Sequence, residues 1–290
     1  MNILITGANG QLGSEIRELN SKGLTPKELN FIYTDVDELD ITDLNAIESF
    51  FRDKKIDIII NCAAYTAVDK AESDEKKAGL INITAPKNLS IIANKYQARI
   101  VHVSTDFIFD GKSSIPYKES DKPNPLSVYG KTKLEGEREI INNSNNFIII
   151  RTSWLYSSNG SNFVKTVRRL ASEKGNLKVI YDQTGTPTYA RDLAKAILDI
   201  LPKLKDKNGE IYHYSNEGLT SWYDFAKAIC EFSKIECEIL PIEAKDYPTP
   251  AKRPHYSVLN KDKIKKDFGI AIPYWRDSLK ECIEKLENSK

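Results

Sequence analysis

The chain is poor in cysteine and histidine, the residues that build disulfide frameworks and many transition-metal sites. Its four cysteines never occur at CxxC spacing, and its three histidines are scattered along the sequence. We therefore expect reduced, mostly structural thiols, as in a cytoplasmic protein, and no metal-binding constellation. The cysteines are Cys62, Cys230, Cys237 and Cys282, and the histidines are His102, His213 and His255.

The sequence also lacks a charge excess and a long apolar run. Its formal net charge is +1 at pH 7, which gives no electrostatic case for binding nucleic acid or an anionic membrane. No segment approaches the roughly 20 apolar residues needed to span a bilayer. A strand is predicted from Asn2 onward, without a basic segment and a long apolar run, so we expect no secretory signal.

What the sequence does contain is an alternation of apolar, β-rich runs with amphipathic helical stretches. This order is typical of a parallel sheet with crossover helices, and near-continuous apolar strands are expected where both sheet faces are covered. The predicted fold class is therefore α/β, a Rossmann-type doubly wound parallel sheet with a smaller C-terminal substrate-binding lobe. The runs that predict strands in the first half are 3–6, 31–35, 58–61, 100–104 and 147–151.

The alternation loosens after about residue 151, and this sets the predicted domain division. Residues 1–150 are expected to form the NAD(P)-binding domain, and residues 151–290 the substrate-binding lobe, with segments near 177–200 returning to the first domain. Residues 110–127 hold three prolines and are predicted to form a long irregular loop, a kind of loop that is usually functional. The later predicted elements are strands at 179–181 and 211–214 and helices at 190–201, 222–233 (with Ser221 as N-cap) and 276–286.

Three glycines, Gly7, Gly10 and Gly13, directly follow the first predicted strand and open a helix. They let the backbone turn tightly and approach a pyrophosphate, which then lies at the positive end of the helix. The GxxGxxG spacing is typical of short-chain dehydrogenases. Three glycines at a strand–helix junction can also simply make a turn, but the position of this loop near the start of the chain favours an NAD(P) site.

The second predicted strand ends at Asp35, 22 residues after Gly13. An acidic side chain there can accept a hydrogen bond from the 2′-hydroxyl of the adenine ribose, which indicates NAD. Residues 36–40 contain no arginine or lysine to hold a 2′-phosphate. We therefore expect NADH to be preferred and NADPH to be accepted as well, although an acidic residue at a strand end is also an ordinary surface feature.

Tyr129 and Lys133 form a YxxxK pair and share one face of a predicted helix. Because a nearby cation favours an ionised phenol, we expect Lys133 to lower the pKa of Tyr129 towards neutrality, a change of roughly 4 kcal/mol. Both side chains would also border the cofactor, with Lys133 holding its ribose. Thr105 ends the fourth predicted strand, where it can hydrogen-bond a substrate carbonyl. Tyr223 and Lys227 have the same spacing, and we interpret them as part of an ordinary surface helix.

Longer segments carry a more specific signal than these motifs. The segments are NCAAYTAVDKAE (61–72), VSTDFIFDG (103–111), YGKTKLEGE (129–137), RTSW (151–154), YDQTGTPT (181–188) and YPTPAKRP (247–254). With the first strand they cover residues 2 to about 260, and they resemble the dTDP-4-dehydrorhamnose reductases. That family reduces a 4-keto sugar nucleotide in the last step of dTDP-L-rhamnose formation. The resemblance therefore implies hydride transfer from NAD(P)H to C4 of the sugar, with Tyr129 protonating the resulting oxygen.

The resemblance also implies roles for individual residues. Thr105, Asp106 and Trp154 would contact the deoxysugar, although a tryptophan is also a common core residue. Asn162 and Arg253 are candidates for the nucleotide diphosphate by analogy with related sugar-nucleotide enzymes, and both are equally well explained as solvated loop residues. The matching positions that would line the cofactor are Gly10, Gln11, Leu12, Asp35, Asp40, Ile41, Ala64, Tyr65 and Thr66.

The chain departs from the family at one place. Some members are described as Mg²⁺-binding dimers, and one of their acidic residues matches Glu15. Arg191 stands where a further acid would follow Ala190, and the sequence ends at Lys290 without an obvious acidic ligand. We therefore expect a salt bridge at Glu15 and no bound metal. A homodimer is expected only by analogy, since the sequence does not fix the oligomeric state.

Two alternatives stay open. One is a related 4-keto sugar-nucleotide reductase or epimerase, because neither the nucleobase nor the product stereochemistry can be read from these residues. The other is a non-catalytic protein similar to the regulatory subunit of methionine adenosyltransferase, which shares the fold and the YGKTK segment. Thr105, Trp154 and Asn162 with Phe163 resemble the reductases rather than that subunit.

Overall fold

A computed structural model describes residues 1–26 and 28–288, apart from the side chains at positions 205 and 206. In chain order its strands are β1 (Asn2–Thr6), β2 (Asn30–Thr34), β3 (Ile58–Asn61), β4 (Arg99–Thr105), β5 (Phe147–Thr152), β6 (Leu155–Tyr156), β7 (Asn176–Ile180), β8 (Thr184–Gly185), β9 (Thr188–Tyr189), β10 (Glu210–His213), β11 (Thr220–Ser221) and β12 (Glu238–Ile242). Six of them form one parallel sheet in the order β10-β5-β4-β3-β1-β2. The predicted Rossmann-type α/β fold is confirmed.

Eleven α-helices connect or flank the strands in the described part of the chain. They are α1 (Gln11–Ser21), α2 (Leu44–Lys54), α3 (Val68–Ala71), α4 (Glu75–Gly79), α5 (Ala85–Lys95), α6 (Val128–Asn143), α7 (Phe163–Lys174), α8 (Ala190–Ile200), α9 (Trp222–Ser233), α10 (Asp262–Phe268) and α11 (Trp275–Asn288). A single π-helical turn, Leu80–Thr84, joins α4 to α5. As predicted, Ser221 caps α9: its Oγ accepts a hydrogen bond of 3.0 Å from the N–H of Asp224.

Both faces of the large sheet are buried, which explains its continuous apolar strands. Successive side chains of a strand point to opposite faces. Ile3 and Ile5 accordingly pack with residues of α1 and α8 on one face, whereas Leu4 packs with residues of α2 and α5 on the other. The carboxyl ends of β1 and β3 meet at the point where the strand order reverses, and this is where open α/β sheets bind their ligands.

The second half of the chain builds a smaller lobe and also returns to the sheet. Residues of α7, α9 and α11 share a core that includes Val167, Phe225 and Leu279. β7 pairs with β12 in this lobe, whereas α8 and β10 belong to the large sheet and its layers. The returning segments therefore include β10, which lies outside the predicted 177–200, and exclude β7. The division of the chain at residue 150 stays a prediction.

The predicted loop at 110–127 is anchored to the second half of the chain. Tyr117 is buried and stacks on Phe109, with the ring centroids 4.2 Å apart. Its backbone N–H donates to the carbonyl of Val258 at 2.9 Å, and its carbonyl accepts from the N–H of Asn260 at 2.7 Å. This loop therefore links β4 and α6 to the segment just before α10.

Among the described residues, no helix has the length and the apolar character needed to cross a membrane.

Candidate functional site

The glycine loop closes the carboxyl end of β1 against the loop after β3. Gly7 has a φ of +65°, and a Cβ there would lie 2.7 Å from the backbone of Ala63, so only glycine fits. Gly10 is the N-cap of α1 without a side-chain cap, and Gly13 lies in its first turn against Ala8. The exposed N–H groups of this helix end can hold a pyrophosphate.

Gln11 and Leu12, the next predicted cofactor residues, occupy the first turn of α1. Leu12 is buried in the core, whereas the Gln11 Oε1 accepts a hydrogen bond of 3.0 Å from the Asn162 amide. Asn162 also caps α7, with its Oδ1 accepting from the Lys165 N–H at 3.2 Å. The structure therefore places Asn162 beside the glycine loop, and it does not bring Asn162 into contact with Arg253.

Asp35 follows β2 directly, next to the glycine loop. One carboxylate oxygen accepts from the Asn9 N–H at 3.0 Å. The Asn9 side-chain oxygen in turn accepts from Arg17 at 3.5 Å, and the Arg17 guanidinium lies 4.9 Å from the centroid of the Tyr33 ring. Residues 36–40 hold no cation, but Arg17 on α1 reaches the same asparagine that binds Asp35.

The remaining predicted cofactor residues lie in the loops after β2 and β3. The Asp40 carboxylate accepts from the Thr42 N–H at 2.8 Å, and Ile41 is buried in the core between α2 and α5. Ala64 is partly buried, Tyr65 is buried and Thr66 is exposed.

Asn82, in the π-helical turn, fixes the second of these loops, and the sequence analysis missed it. Its Oδ1 accepts from the Tyr65 N–H at 2.9 Å, and its Nδ2 donates to the Tyr65 carbonyl at 3.1 Å and to the Thr132 hydroxyl at 3.1 Å. One amide thus ties the loop after β3 to α6. Its partners lie 17 and 50 residues away, so no local pattern reveals them.

Tyr129 and Thr105 meet where α6 begins beside the end of β4. Ser127 caps α6 through its Oγ, which accepts from the Gly130 N–H at 3.2 Å. A Cβ at Gly130 would overlap the carbonyl oxygen of Phe107, so this glycine allows the helix to approach the strand end. Both Thr105 and Tyr129 are buried, and the Thr105 side chain lies close enough to Tyr129 to influence its ionisation. The Thr105 hydroxyl itself donates to the Asp106 carboxylate at 3.1 Å.

The pKa of Tyr129 is raised, not lowered as the sequence suggested. Burial raises it to about 12, and the neighbouring Thr105 only partly opposes that effect. The ammonium of Lys133 does not counter it, because Lys133 donates instead to the carbonyl of Val103 at 2.8 Å. Tyr129 is consequently protonated near neutral pH and can act as an acid.

Lys133 is itself perturbed. Its side chain is buried, which lowers its pKa to about 8, while the Glu137 carboxylate favours the charged form. Glu137 is held by the buried Arg151, with Nη2 and Oε2 2.8 Å apart. The amine of Lys133 thus changes charge close to physiological pH.

Asp106 and Trp154 are two of the predicted sugar contacts, and packing determines the pKa of the first and the ring position of the second. Burial raises the pKa of Asp106 to about 6, and the hydroxyls of Ser257 and Thr105 oppose this shift only in part. Trp154 has a φ of +48°, unusual for a bulky residue, and its ring stacks on Trp222 with centroids 3.5 Å apart. Trp222 is a second aromatic residue at this position that the sequence analysis did not select.

Arg253, the second diphosphate candidate, is paired with Asp69. Its guanidinium donates to the two carboxylate oxygens at 2.7 and 2.9 Å, and also to the Thr249 hydroxyl at 2.7 Å. It remains partly exposed. An anion in this region would therefore compete with Asp69 for Arg253.

Glu15 is fully buried between cations. Its carboxylate lies 3.4 Å from Arg191 and 2.9 Å from Lys285, and it accepts from the Ser157 hydroxyl at 2.6 Å. The expected salt bridge with Arg191 is present. Residues 1–26 and 28–288 contain no group of three or more acidic, histidine or cysteine side chains suited to a metal ion. The absence of a metal stays a prediction, and Lys290 lies outside the described residues.

The second Tyr–Lys pair, Tyr223 and Lys227, is less buried than Tyr129 and Lys133. Tyr223 is partly buried and Lys227 exposed on α9, with the ammonium 5.9 Å from the ring centroid. This agrees with an ordinary surface helix.

Comparisons with known proteins agree with this geometry. The family model described as the RmlD substrate binding domain matches residues 1–288. A dTDP-4-dehydrorhamnose reductase of Aggregatibacter actinomycetemcomitans is 42% identical over 287 residues, which cover 96% of this chain and 97% of the relative.

Two solved structures are similar over nearly their whole length. A dTDP-4-dehydrorhamnose reductase from Clostridium acetobutylicum has a TM-score of 0.93 and 44% identity, covering 99% of this chain and 100% of that one. A dTDP-4-dehydrorhamnose reductase from Bacillus anthracis, solved in complex with NADP, has a TM-score of 0.92 and 34% identity, covering 98% and 99%. The chain therefore belongs to the dTDP-4-dehydrorhamnose reductase family.

Proposed function

We propose that this chain reduces the 4-keto group of dTDP-4-dehydro-L-rhamnose to give dTDP-L-rhamnose, using NAD(P)H, with Tyr129 as the proton donor. The observation that carries the proposal is the neutral phenol of Tyr129, which is buried beside Thr105 at the carboxyl end of β4. The relatives' names support the substrate class.

The residues at the glycine loop fit a dinucleotide. The close approach at Gly7 leaves space for backbone only, and α1, which has no side-chain N-cap, would direct the N–H groups of its first turn to a pyrophosphate. The bound cofactor would supply the hydride. Asp35 would accept a hydrogen bond from the ribose 2′-hydroxyl of NADH, whereas Arg17 would pair with the 2′-phosphate of NADPH. The predicted preference for NADH should therefore be small.

The protein's own groups would then handle the proton and the sugar. The Tyr129 hydroxyl gives its proton to the C4 oxygen as negative charge develops there, and the Thr105 hydroxyl orients that oxygen by a hydrogen bond. Asp106 and Trp154 would hold the deoxysugar, whose methyl and ring C–H groups suit an aromatic surface. Arg253 and Asn162 stay candidates for the diphosphate.

The test is product identification. The purified protein should be mixed with NADH or NADPH and with 4-keto-6-deoxysugars linked to thymidine, uridine or guanosine diphosphate, and the product followed by NMR. We expect turnover of the thymidine compound and formation of a 4-hydroxy sugar with the L-rhamno configuration. Turnover of another nucleotide, or a different configuration at C4, would favour a related 4-keto sugar-nucleotide reductase or epimerase.

The regulatory-subunit alternative makes a different prediction. A binding protein of that kind would not oxidise NADH alone and would form a stable complex with a second enzyme. The reductase proposal requires activity from the pure chain. A cytoplasmic location and a homodimer stay predictions.

A further inference from the structure

A buried hydrogen-bond chain runs from the end of β3 to Lys133. The Asn61 Nδ2 lies 3.0 Å from the His102 Nδ1 on β4, and the His102 Nε2 lies 3.3 Å from the Lys133 Nζ on α6. All three residues are buried. A lone histidine in an apolar strand carries no motif, so the sequence alone predicts no role for His102.

The direction of this chain is fixed by the backbone. The Asn61 Oδ1 accepts from the Ala63 N–H at 3.1 Å and from the Thr6 hydroxyl at 2.7 Å. A backbone N–H can only donate, so the Asn61 oxygen must face it and the Asn61 NH₂ must face His102. The His102 Nδ1 is therefore the acceptor.

The tautomer of His102 follows from this. Burial lowers the pKa of His102 well below its usual value, so the ring is neutral and carries one proton. With Nδ1 accepting from Asn61, that proton lies on Nε2. The Nε2–H points to the Lys133 nitrogen, which also donates to the Val103 carbonyl at 2.8 Å.

An ammonium and an amine respond differently to this donor. The ammonium has three N–H groups and no lone pair, so it meets the Nε2–H donor against donor, whereas the neutral amine can accept. We propose that His102 is a positioning residue whose Nε2–H, oriented by Asn61, donates to Lys133 and favours the neutral amine. This inference rests on the proposed function of Tyr129 and Lys133.

None of the other groups named around Lys133 favours its neutral amine as His102 does. The Glu137 carboxylate, one turn along α6, favours the ammonium and is itself paired with Arg151. The Cys62 thiol after β3 stays protonated, because burial raises its pKa to about 12. Tyr129 on the same helix is likewise neutral near pH 7. Asp106 beyond Thr105 acts on Tyr129.

The neutral amine has a place in the reaction. When the Tyr129 hydroxyl has given its proton to the sugar oxygen, the phenolate must regain one. The Lys133 ammonium can release a proton towards that phenolate, which leaves a Lys133 amine and a neutral phenol. A donor at the His102 Nε2 stabilises this amine and thus the return of Tyr129 to its acid form, and solvent then reprotonates Lys133.

The tautomer can be read directly on the unmodified protein. With ¹⁵N-labelled histidine, long-range ¹H–¹⁵N NMR distinguishes a protonated Nε2 from a protonated Nδ1. We expect His102 to carry its proton on Nε2 over the whole neutral range. A proton on Nδ1 would overturn the proposal.

Two matched variants test the effect on Lys133. His102→Asn keeps an acceptor for the Asn61 amide but offers no donor to Lys133, whereas the longer His102→Gln can still donate from its amide. With ¹³C-labelled lysine, and Lys133→Met to assign the signal, NMR titration gives the pKa of Lys133. We expect His102→Asn to raise it by about one unit, the scale of one hydrogen bond, and His102→Gln to leave it near the wild-type value.

The kinetic readout is separate from the titration. In His102→Asn, the pH dependence of kcat should shift upward with Lys133, while KM for the sugar nucleotide stays within severalfold. An unchanged Lys133 titration in a folded His102→Asn variant would refute the proposal. If the wild type showed no turnover at all, the proposed function would fail while the NMR results on His102 and Lys133 still stood.

Discussion

Thr105 at the end of β4 and Tyr129 at the start of α6 are both buried, and Thr105 lies close enough to influence the ionisation of the Tyr129 phenol. The two residues lie 24 positions apart in the sequence, and their segments meet because Gly130 lets α6 approach Phe107. Burial keeps the phenol protonated, with a pKa of about 12. The pair therefore presents an acid and a hydrogen-bond donor at the end of the sheet where ligands bind.

Replacing Tyr129 tests its proposed role as the general acid. Positioned general acids contribute about 10²–10⁴-fold, so Tyr129→Phe should lower kcat by that factor. The affinity for the cofactor should stay within severalfold, because the glycine loop is untouched. Tyr223→Phe, the matched control in the second Tyr–Lys pair, should leave turnover nearly unchanged. The reverse pattern would mean that the wrong pair has been chosen.

Cofactor selectivity should depend on Asp35 and Arg17. NADH should have a modestly higher kcat/KM than NADPH, and Asp35→Ala should reduce this difference between the two cofactors. Arg17→Ala should weaken NADPH binding about tenfold, the scale of one lost charge-assisted hydrogen bond, and change NADH binding much less. Fluorescence titration of both cofactors measures this. A wild type that favours NADPH tenfold would refute the role of Asp35, and an equal loss of both cofactors would refute that of Arg17.

Trp154 should contribute to sugar binding. Trp154→Ala should raise KM or lower kcat by an equivalent of about 1–3 kcal/mol, the scale of losing a well-packed aromatic contact. Trp154→Phe keeps an aromatic face above Trp222 and should retain most of the activity. Because Trp154 also packs against the core of the lobe, thermal unfolding must show both variants folded. Equal kinetics for the two variants would argue against stacking.

Asp106 should make stability depend on pH. An ordinary aspartate ionises near pH 4, whereas the pKa of Asp106 is raised to about 6, so between these values the folded protein holds a proton that the unfolded chain releases. Its stability therefore falls as the pH rises through this window, by about 3 kcal/mol at pH 7. Asp106→Asn removes this effect, and its urea unfolding should show a gain over wild type at pH 7 that vanishes near pH 4. A gain independent of pH would contradict the burial argument.

The parts of the site that could be predicted are those with local patterns. The strand–GxxGxxG–helix order located the tight turn at Gly7, and the spacing of Tyr129 and Lys133 after Thr105 predicted the residues that we propose for catalysis. Ser221 was recognisable because an N-cap acts within its own first turn. These features depend on only a few neighbouring residues, so they can be predicted without knowledge of the tertiary structure.

The parts that were missed depend on contacts between distant segments. Arg17 on α1 and Asp35 after β2 share Asn9 as a partner only through the fold, and Asn82 acts on residues of two other segments. The pKa of Tyr129 was predicted in the wrong direction because sequence spacing reveals a neighbouring cation but not the depth of burial. His102 has meaning only through Asn61 and Lys133, which lie on other elements.

The most direct measurement is the oxidation of NADH by the purified chain when dTDP-4-dehydro-L-rhamnose is added, followed by the absorbance of NADH. We predict substrate-dependent oxidation without any second protein. Tyr129→Phe should lower its rate by about 10²–10⁴-fold, and Tyr223→Phe should leave it nearly unchanged. No oxidation by the pure wild type, together with a stable complex between this chain and another enzyme, would contradict a catalytic role.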